Sequence, residues 1–418
     1  MATPGRARLR RPLQAVPRLV LAGAGALAAG TVCGLLLGVT GIADTSALVD
    51  SGAYVFGAGL LLAVGLYGST YGIDLKALRA DLSGVVAAVT LGVVLKAALI
   101  TGVMLLVFRR PEALVLGIAV AQIDPLSVAA LGRNGRMSPR AQSLLTAWAS
   151  FDDPMTVLLT LYLAGAAYTA SGGEGTPEAA AGGAGGYLTG LGLNAALLLG
   201  VLLLWFVGRR VTSRLPDTPS GRRATGTAAV LLIVTMLVLA AAQQLMPAVA
   251  LAGLVVRSVF LGRAVDRAVG GAYLAAFSAL GLLLAHGVAW WPGFVLGVAA
   301  FGAQAVVALV VMPLFVRGLA RTDRIELGLG QQNGITAVLI ALTLERDFPG
   351  TAATVGPAVI TVNVLYGVSQ ALRAHPPRRW RRPAGEPPAE ELPAGPGRPP
   401  RYDRPAVGEQ VADRRTVA

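Results

Sequence analysis

Four ionisable side chains lie inside apolar stretches: Lys96 in LGVVLKAALI, Asp124 in AQIDPLSV, and the adjacent Asp152 and Asp153 in SFDDPMTV. A charge at the middle of a membrane-spanning helix costs a few kcal/mol even on lenient insertion scales, so it marks a functional site by default. Carboxylates are hard oxygen ligands, suited to a small alkali cation rather than a soft metal. Pro125 follows Asp124, and Pro154 follows the aspartate pair. Each proline removes a backbone donor and frees a carbonyl one turn back, so Pro125 and Pro154 are expected to break their helices. Freed carbonyls beside carboxylates at mid-membrane are how secondary transporters hold coupling ions. Protons and cations would compete there for the same oxygens, which is the minimum machinery for exchange.

The alternative is structural: an intramembrane aspartate can cap a broken helix or pair with a lysine. Asp124, Asp152 and Asp153 within thirty residues, with proline after both motifs, weigh against that for the set as a whole. Neighbours on a helix point about 100° apart, so Asp152 and Asp153 can border one cavity but not meet at one point. Lys96 keeps two readings, a counter-ion to Asp152 or Asp153 that takes part in proton loading, or a purely structural partner.

The elements that must position these residues are membrane helices. Of 418 residues, 55% are hydrophobic and 14% charged, against roughly a quarter charged in soluble domains. Twelve apolar segments can be read, at 17–41, 50–70, 83–107, 112–132, 141–168, 187–208, 225–243, 246–262, 268–288, 291–317, 325–345 and 350–373. Most approach the ~20 residues that cross ~30 Å of hydrocarbon. The first follows a basic stretch as a signal peptide would, but its length and the segments after it make it a spanning helix. The net charge of +13 comes from arginines between the segments and in the tail. With both termini cytoplasmic, nearly all of them fall on the inner side, and the outer loops hold only Arg109, Arg110 and Arg346. That asymmetry is what the positive-inside rule demands, and it removes the nucleic-acid reading that such a charge would suggest in a soluble protein. Residues 1–16 form a basic cytoplasmic segment, 17–373 a transmembrane domain, and 374–418 a Pro- and Arg-rich tail unable to bury a core. The tail could touch anionic lipid or stay solvated. Cys33 is the only cysteine, so no intramolecular disulfide forms. There is no nucleotide-binding motif or metal cluster, which disfavours enzymatic and ATP-driven readings, and no cofactor is expected.

At the aspartate motifs the chain resembles the monovalent cation:proton antiporter superfamily (the sodium/proton exchanger family) over about residues 50–373. LVLGIAVAQIDPLSVAALGR is similar to the family helix with a Thr-Asp-Pro motif, and Asp124-Pro125 match its last two positions. SPRAQSLLTAWASFDDPMTVLLTL resembles the next helix, placing Asp153 at the ion-binding aspartate. ELGLGQQNGITAVLIALTLE resembles the late Gly-rich helix. Three positions depart from the pattern. Ile123 replaces the Thr, and Trp148 and Asn333 stand where many electroneutral members pair a Glu with an Arg. Electrogenic members carry Asp-Asp with a Lys on the late helix; here Lys96, on its pseudo-symmetric mate, is the candidate for that positive charge.

The resemblance implies an all-α polytopic membrane protein of about twelve transmembrane helices, with inverted repeats and crossed broken helices, working as an elevator-like homodimer. The crossed breaks are expected near Asp124 and within GPAVITVNVL, where Pro357 breaks the helix and Asn363 offers an uncharged ligand. Gln331, Gln332, Asn333 and Thr336 are read as a polar stripe on the neighbouring helix, serving either as interhelical hydrogen bonds or as an ion path. The implied activity is exchange of Na+ or Li+ for H+ across a bacterial inner membrane, for pH and salt homeostasis. Asp153 and Asp124 would hold the alkali cation and Asp152 would support them. Potassium/proton exchange, a sodium-coupled symporter for an organic solute anchored by Lys96, and a non-transporting membrane sensor are the competing readings. Beyond ions and protons, the expected partners are membrane lipid and a second copy of the chain.

Overall fold

The computed structural model describes residues 15–40, 45–71, 82–124, 137–172, 183–212, 219–257, 261–285 and 287–374. The expected basic amino-terminal segment and carboxy-terminal tail lie almost wholly outside these residues, as does Pro125. The regular structure among them is helical. α1 (Ala15–Thr40) and the short α2 (Thr45–Val49) lead to α3 (Gly52–Tyr71). α4 runs Leu82–Ala87, widens to a π-helix over Ala88–Gly92, and continues as Val93–Phe108. Next come the short α5 (Ala113–Ala119), the long α6 (Pro139–Ala170), α7 (Gly183–Thr212), α8 (Pro219–Gln243), α9 (Met246–Val255) and α10 (Gly262–Leu284). α11 comprises Trp290–Val306, a π-helix over Val307–Val311, and Met312–Phe315. α12 (Arg321–Gly328), α13 (Ile335–Leu344) and α14 (Thr351–Ala374) complete the chain.

Each apolar segment read from the sequence contains helix, and the one at 325–345 contains two. Among the described residues, seven helices are long and apolar enough to cross a membrane. Shorter apolar helices at Met246–Val255 and Ile335–Leu344 supplement them. Two segments expected as single spans are instead interrupted. α5 stops at Ala119 and the chain leaves the helix, without regular structure through Asp124. The span expected over 325–345 is two helices, α12 and α13, separated by the extended residues 330–334.

Two expected breaks are absent. Pro154 lies inside the continuous α6, and Pro357 lies inside the continuous α14. A proline leaves the carbonyl four residues earlier without its helical donor, and a membrane helix survives this when a neighbour supplies one. For Pro357 the neighbour is visible: Ala353 O accepts a bond from Ala289 N, at the start of α11, at 3.0 Å. The crossed break expected in residues 355–365 therefore falls at 330–334, and Gln331, Gln332 and Asn333 lie in that extended stretch instead of on a helix stripe.

Small residues set the close packing, as expected where lipid removes the hydrophobic drive between helices. α1 lies against α10 with Gly34 on the backbone of Leu282, where an added Cβ would sit 2.7 Å from the carbonyl oxygen. α11 approaches α14 at Gly293 and Gly297 in the same way, with added Cβ atoms 2.6 Å from Thr354 O and 2.8 Å from Ala358 O. Side chains close the remaining helix ends. Arg257 donates to Gly253 O and Thr70 O, satisfying carbonyls at the ends of α9 and α3. Asn194 of α7 accepts from Ala248 N in the first turn of α9. Glu345 accepts from Gly350 N and Ala352 N, tying the α13–α14 turn to the start of α14. Asp323 accepts from the N–H and the hydroxyl of Ser138, which itself caps α6.

Candidate functional site

The two non-helical stretches cross each other in the interior. Asp124 N donates to Gln332 O at 2.8 Å, so backbone meets backbone at the crossing. Amide side chains fasten the rest. Gln331 Nε2 donates to Gln122 O at 2.7 Å and to Asn333 Oδ1 at 2.6 Å, and Asn333 Nδ2 donates to Val120 O at 3.0 Å. From α14, Asn363 Nδ2 reaches Asn333 O at 2.9 Å. These bonds satisfy carbonyls that no helix serves, which irregular backbone needs at membrane depth. Asn333 and Gln331 thus hold the crossing together, while Gln332 contributes through its backbone carbonyl.

α6 passes beside the crossing and presents its aspartates on two sides. Asp152 Oδ2 receives Lys96 Nζ from α4 at 2.7 Å and the N–H of Ile123 at 3.1 Å. Lys96 and Asp152 are both fully buried. Trp148, one turn before Asp152 on α6, lies with its ring centre 5.0 Å from Lys96 Nζ, so cation–π attraction and an ion pair hold the same ammonium. The widened turn of α4 admits the indole: a Cβ on Gly92 would lie 3.3 Å from Trp148 Cζ2 and 3.6 Å from Val307 of α11. The Ile123 side chain is buried in this apolar cluster, so the residue at the expected Thr position serves Asp152 through its backbone only.

Asp153 points elsewhere. Its charged and polar neighbours are the Asp124 carboxylate and the hydroxyls of Thr336, in the first turn of α13, and Ser69 of α3. Its Oδ1 is buried and has no hydrogen-bond partner among the described residues. Thr156, one turn on, donates to Gln122 Oε1 at 2.6 Å and to Asp153 O at 3.0 Å, tying α6 to the first non-helical stretch. Gly334 makes the approach of Asp124 possible. A Cβ there would lie 2.5 Å from the Asp124 Cγ and 2.8 Å from both carboxylate oxygens. Tyr273 of α10 brings a phenol within electrostatic reach of Asp124.

The structure thus brings together Asp124, Asp153 and Thr336, with Asn363, Gln332 and Asn333 behind them in the crossing. It separates Asp152, which is bound to Lys96. Ser69, Gln122, Thr156, Tyr273 and Gly334 were not singled out in the sequence. Gly334 had the clearest signal, a glycine directly before an apolar helix in a Gly-rich run.

A buried carboxylate beside a half-buried one, with hydroxyls near them, is chemistry for a proton or an alkali cation. A family model described as "Sodium/hydrogen exchanger, transmembrane" matches residues 18–372. The chain belongs to the sodium/hydrogen exchanger family. Cation/proton antiport by a multi-pass membrane protein is therefore its class of activity. Among solved structures it is similar to the sodium proton antiporter MjNhaP1 from Methanocaldococcus jannaschii, with 14% identity and a TM-score of 0.58. That match covers 86% of the exchanger and 97% of the other chain, and it shows a shared fold. No curated protein matches the sequence.

Proposed function

We propose that this exchanger moves Na+ against H+ by letting both compete for Asp153 and Asp124. The observation that carries the reading is the nearness of the half-buried Asp124 carboxylate to the buried Asp153, while Lys96 is bonded to Asp152. Two carboxylates sharing one low-dielectric site cannot both remain ionised without a cation or a proton between them. Loading one releases the other, and obligatory exchange follows. The carboxylates, the hydroxyls of Ser69 and Thr336, and the carbonyls freed by the crossing form a hard oxygen set suited to a small alkali ion. Asp152 and Lys96 form the fixed ion pair beside it, so Lys96 supplies the positive charge that the family pattern places on the late helix.

The solute-symporter reading loses its anchor, because Lys96 is buried and committed to Asp152. The rest of the proposal follows the resemblance: an elevator-like homodimer in a bacterial inner membrane, with both termini cytoplasmic. The membrane domain spans 17–373 between a basic amino-terminal segment and a polar tail. Its role is pH and salt homeostasis.

The test is proton flux in proteoliposomes containing a pH dye, with Na+, Li+ or K+ added in turn, for wild type and Asp153→Asn. Sodium- or lithium-triggered flux that disappears in the variant is the expected result. Flux with K+ alone would reassign the ion, and no response to any cation in folded protein would overturn the reading.

A further inference from the structure

Away from the crossing, two cavities lie along the same pair of helices, α4 and α11. One, of about 460 Å³, is at the Arg109 end and is lined by Met104, Phe108, Arg110, Glu112, Pro292 and Phe348 among others. The other, of about 380 Å³, is a separate cavity between the two helices and has only apolar lining, including Leu99, Val103, Val298, Gly302 and Val306. Glu112 Oε2 is shielded from solvent and has no hydrogen-bond partner among the described residues. Trp290 and Trp291 are exposed at the same end, Trp291 stacked on Phe294 at 6.0 Å between centroids. Exposed tryptophans of this kind belong at the membrane–water interface. Arg110 is one of the few arginines on the side that the charge distribution otherwise keeps free of them.

We propose that this groove is a binding site for one diacyl phospholipid with a zwitterionic phosphate–ammonium headgroup. Arg110 takes the phosphate, for which a guanidinium is well matched. Glu112, which lines the same cavity, supplies the counter-charge for the ammonium. An acyl chain lies in the apolar cavity below. Charged groups in the cavity at the Arg109 end and apolar walls in the other match a lipid standing in one leaflet. Dimensions agree: from Pro292 to Val306, α11 rises roughly 21 Å, and one leaflet contributes about 15 Å of hydrocarbon. Gly302 leaves room for the chain, since no atom lies within 4 Å of where its Cβ would be. A bound lipid would brace α4, which carries Lys96, against α11, which packs on α14. Assignment to the outer leaflet rests on the orientation read from the charges; the site itself does not depend on the exchange reading.

The test is lipid retention by delipidated full-length protein in detergent, measured by native mass spectrometry with phosphatidylethanolamine and phosphatidylglycerol. Wild type is expected to retain the ethanolamine lipid about tenfold better, the size of one charge-assisted hydrogen bond. Glu112→Gln should erase that preference, and Arg110→Gln should weaken both lipids. Gly302→Leu, which fills the chain cavity without touching the headgroup, should weaken both as well, with circular dichroism confirming the fold. Equal retention of the two lipids by wild type overturns the proposal. So does undiminished ethanolamine-lipid retention in both Arg110→Gln and Gly302→Leu.

Discussion

Asp152 and Asp153 share a peptide bond and a helix, yet α6 turns one toward Lys96 at 2.7 Å and the other toward Asp124. The first carboxylate has a cation, a backbone N–H and an aromatic face over its partner. The second has another acid and two hydroxyls. About 100° of helical rotation separates a carboxylate bonded to an ammonium from one that faces another acid. Adjacent charges of identical type can therefore do opposite work, and which does which is decided by the elements packed on each side. On the Asp152 side these are α4 and the apolar cluster around Trp148; on the Asp153 side they are the crossing and α3.

The comparison breaks if both aspartates respond alike. Asp153→Asn and Asp124→Asn should each lower cation-driven proton flux by a hundredfold or more, roughly 3 kcal/mol, with the fold retained, since each removes a charge from a like-charged pair. Proteoliposome flux alongside a thermal unfolding curve checks both halves of that statement. The next largest effect is on stability. Lys96→Met leaves Asp152 buried without its cation and should cost about 3–5 kcal/mol. The double variant Lys96→Met with Asp152→Leu should recover most of that loss, because neither buried charge remains. Recovery of the unfolding midpoint with residual exchange would place the pair outside the ion path. Recovery of stability with no exchange would instead make the pair part of the proton cycle.

Much of this was legible in the sequence because lipid imposes strict rules. Helix positions follow from apolar length, and the reactive residues follow from the cost of intramembrane charge. Asp124, Asp153 and the Lys96 partnership were accessible on those grounds. What misled was proline. Pro154 and Pro357 signalled breaks by local chemistry, but tertiary donors such as Ala289 N can serve the freed carbonyl and leave the helix whole. The actual late break, at 330–334, contains no proline at all. It is held open by Gln331, Asn333 and Asn363, whose amide bonds are tertiary facts that a linear pattern does not show. Ser69 and Tyr273 went unseen for the same reason: each acts across helices, and a Ser or Tyr on an apolar helix has no local signature of its partner.

The smaller predictions test this contrast between the glycine-and-amide break and the proline-bearing helix. Gly334→Ala puts a methyl group where the Asp124 carboxylate lies. It should raise the apparent KM for the cation about tenfold, roughly 1.4 kcal/mol, while leaving the helices intact. Pro357→Ala should do far less. In the native helix Ala353 O already has a donor in Ala289 N, so restoring an intrahelical donor gives one carbonyl two candidates and gains little. The Cβ that Gly293 approaches, 2.7 Å from an added Cβ to Pro357 Cβ, is kept in alanine, so the packing of α11 on α14 is unchanged. The net change in stability should stay within about 1 kcal/mol, and flux should be unaltered. If α14 does open at Pro357 during the transport cycle, the alanine variant would slow turnover at unchanged KM. The break at 330–334 would then be one of two hinges in the carboxy-terminal half.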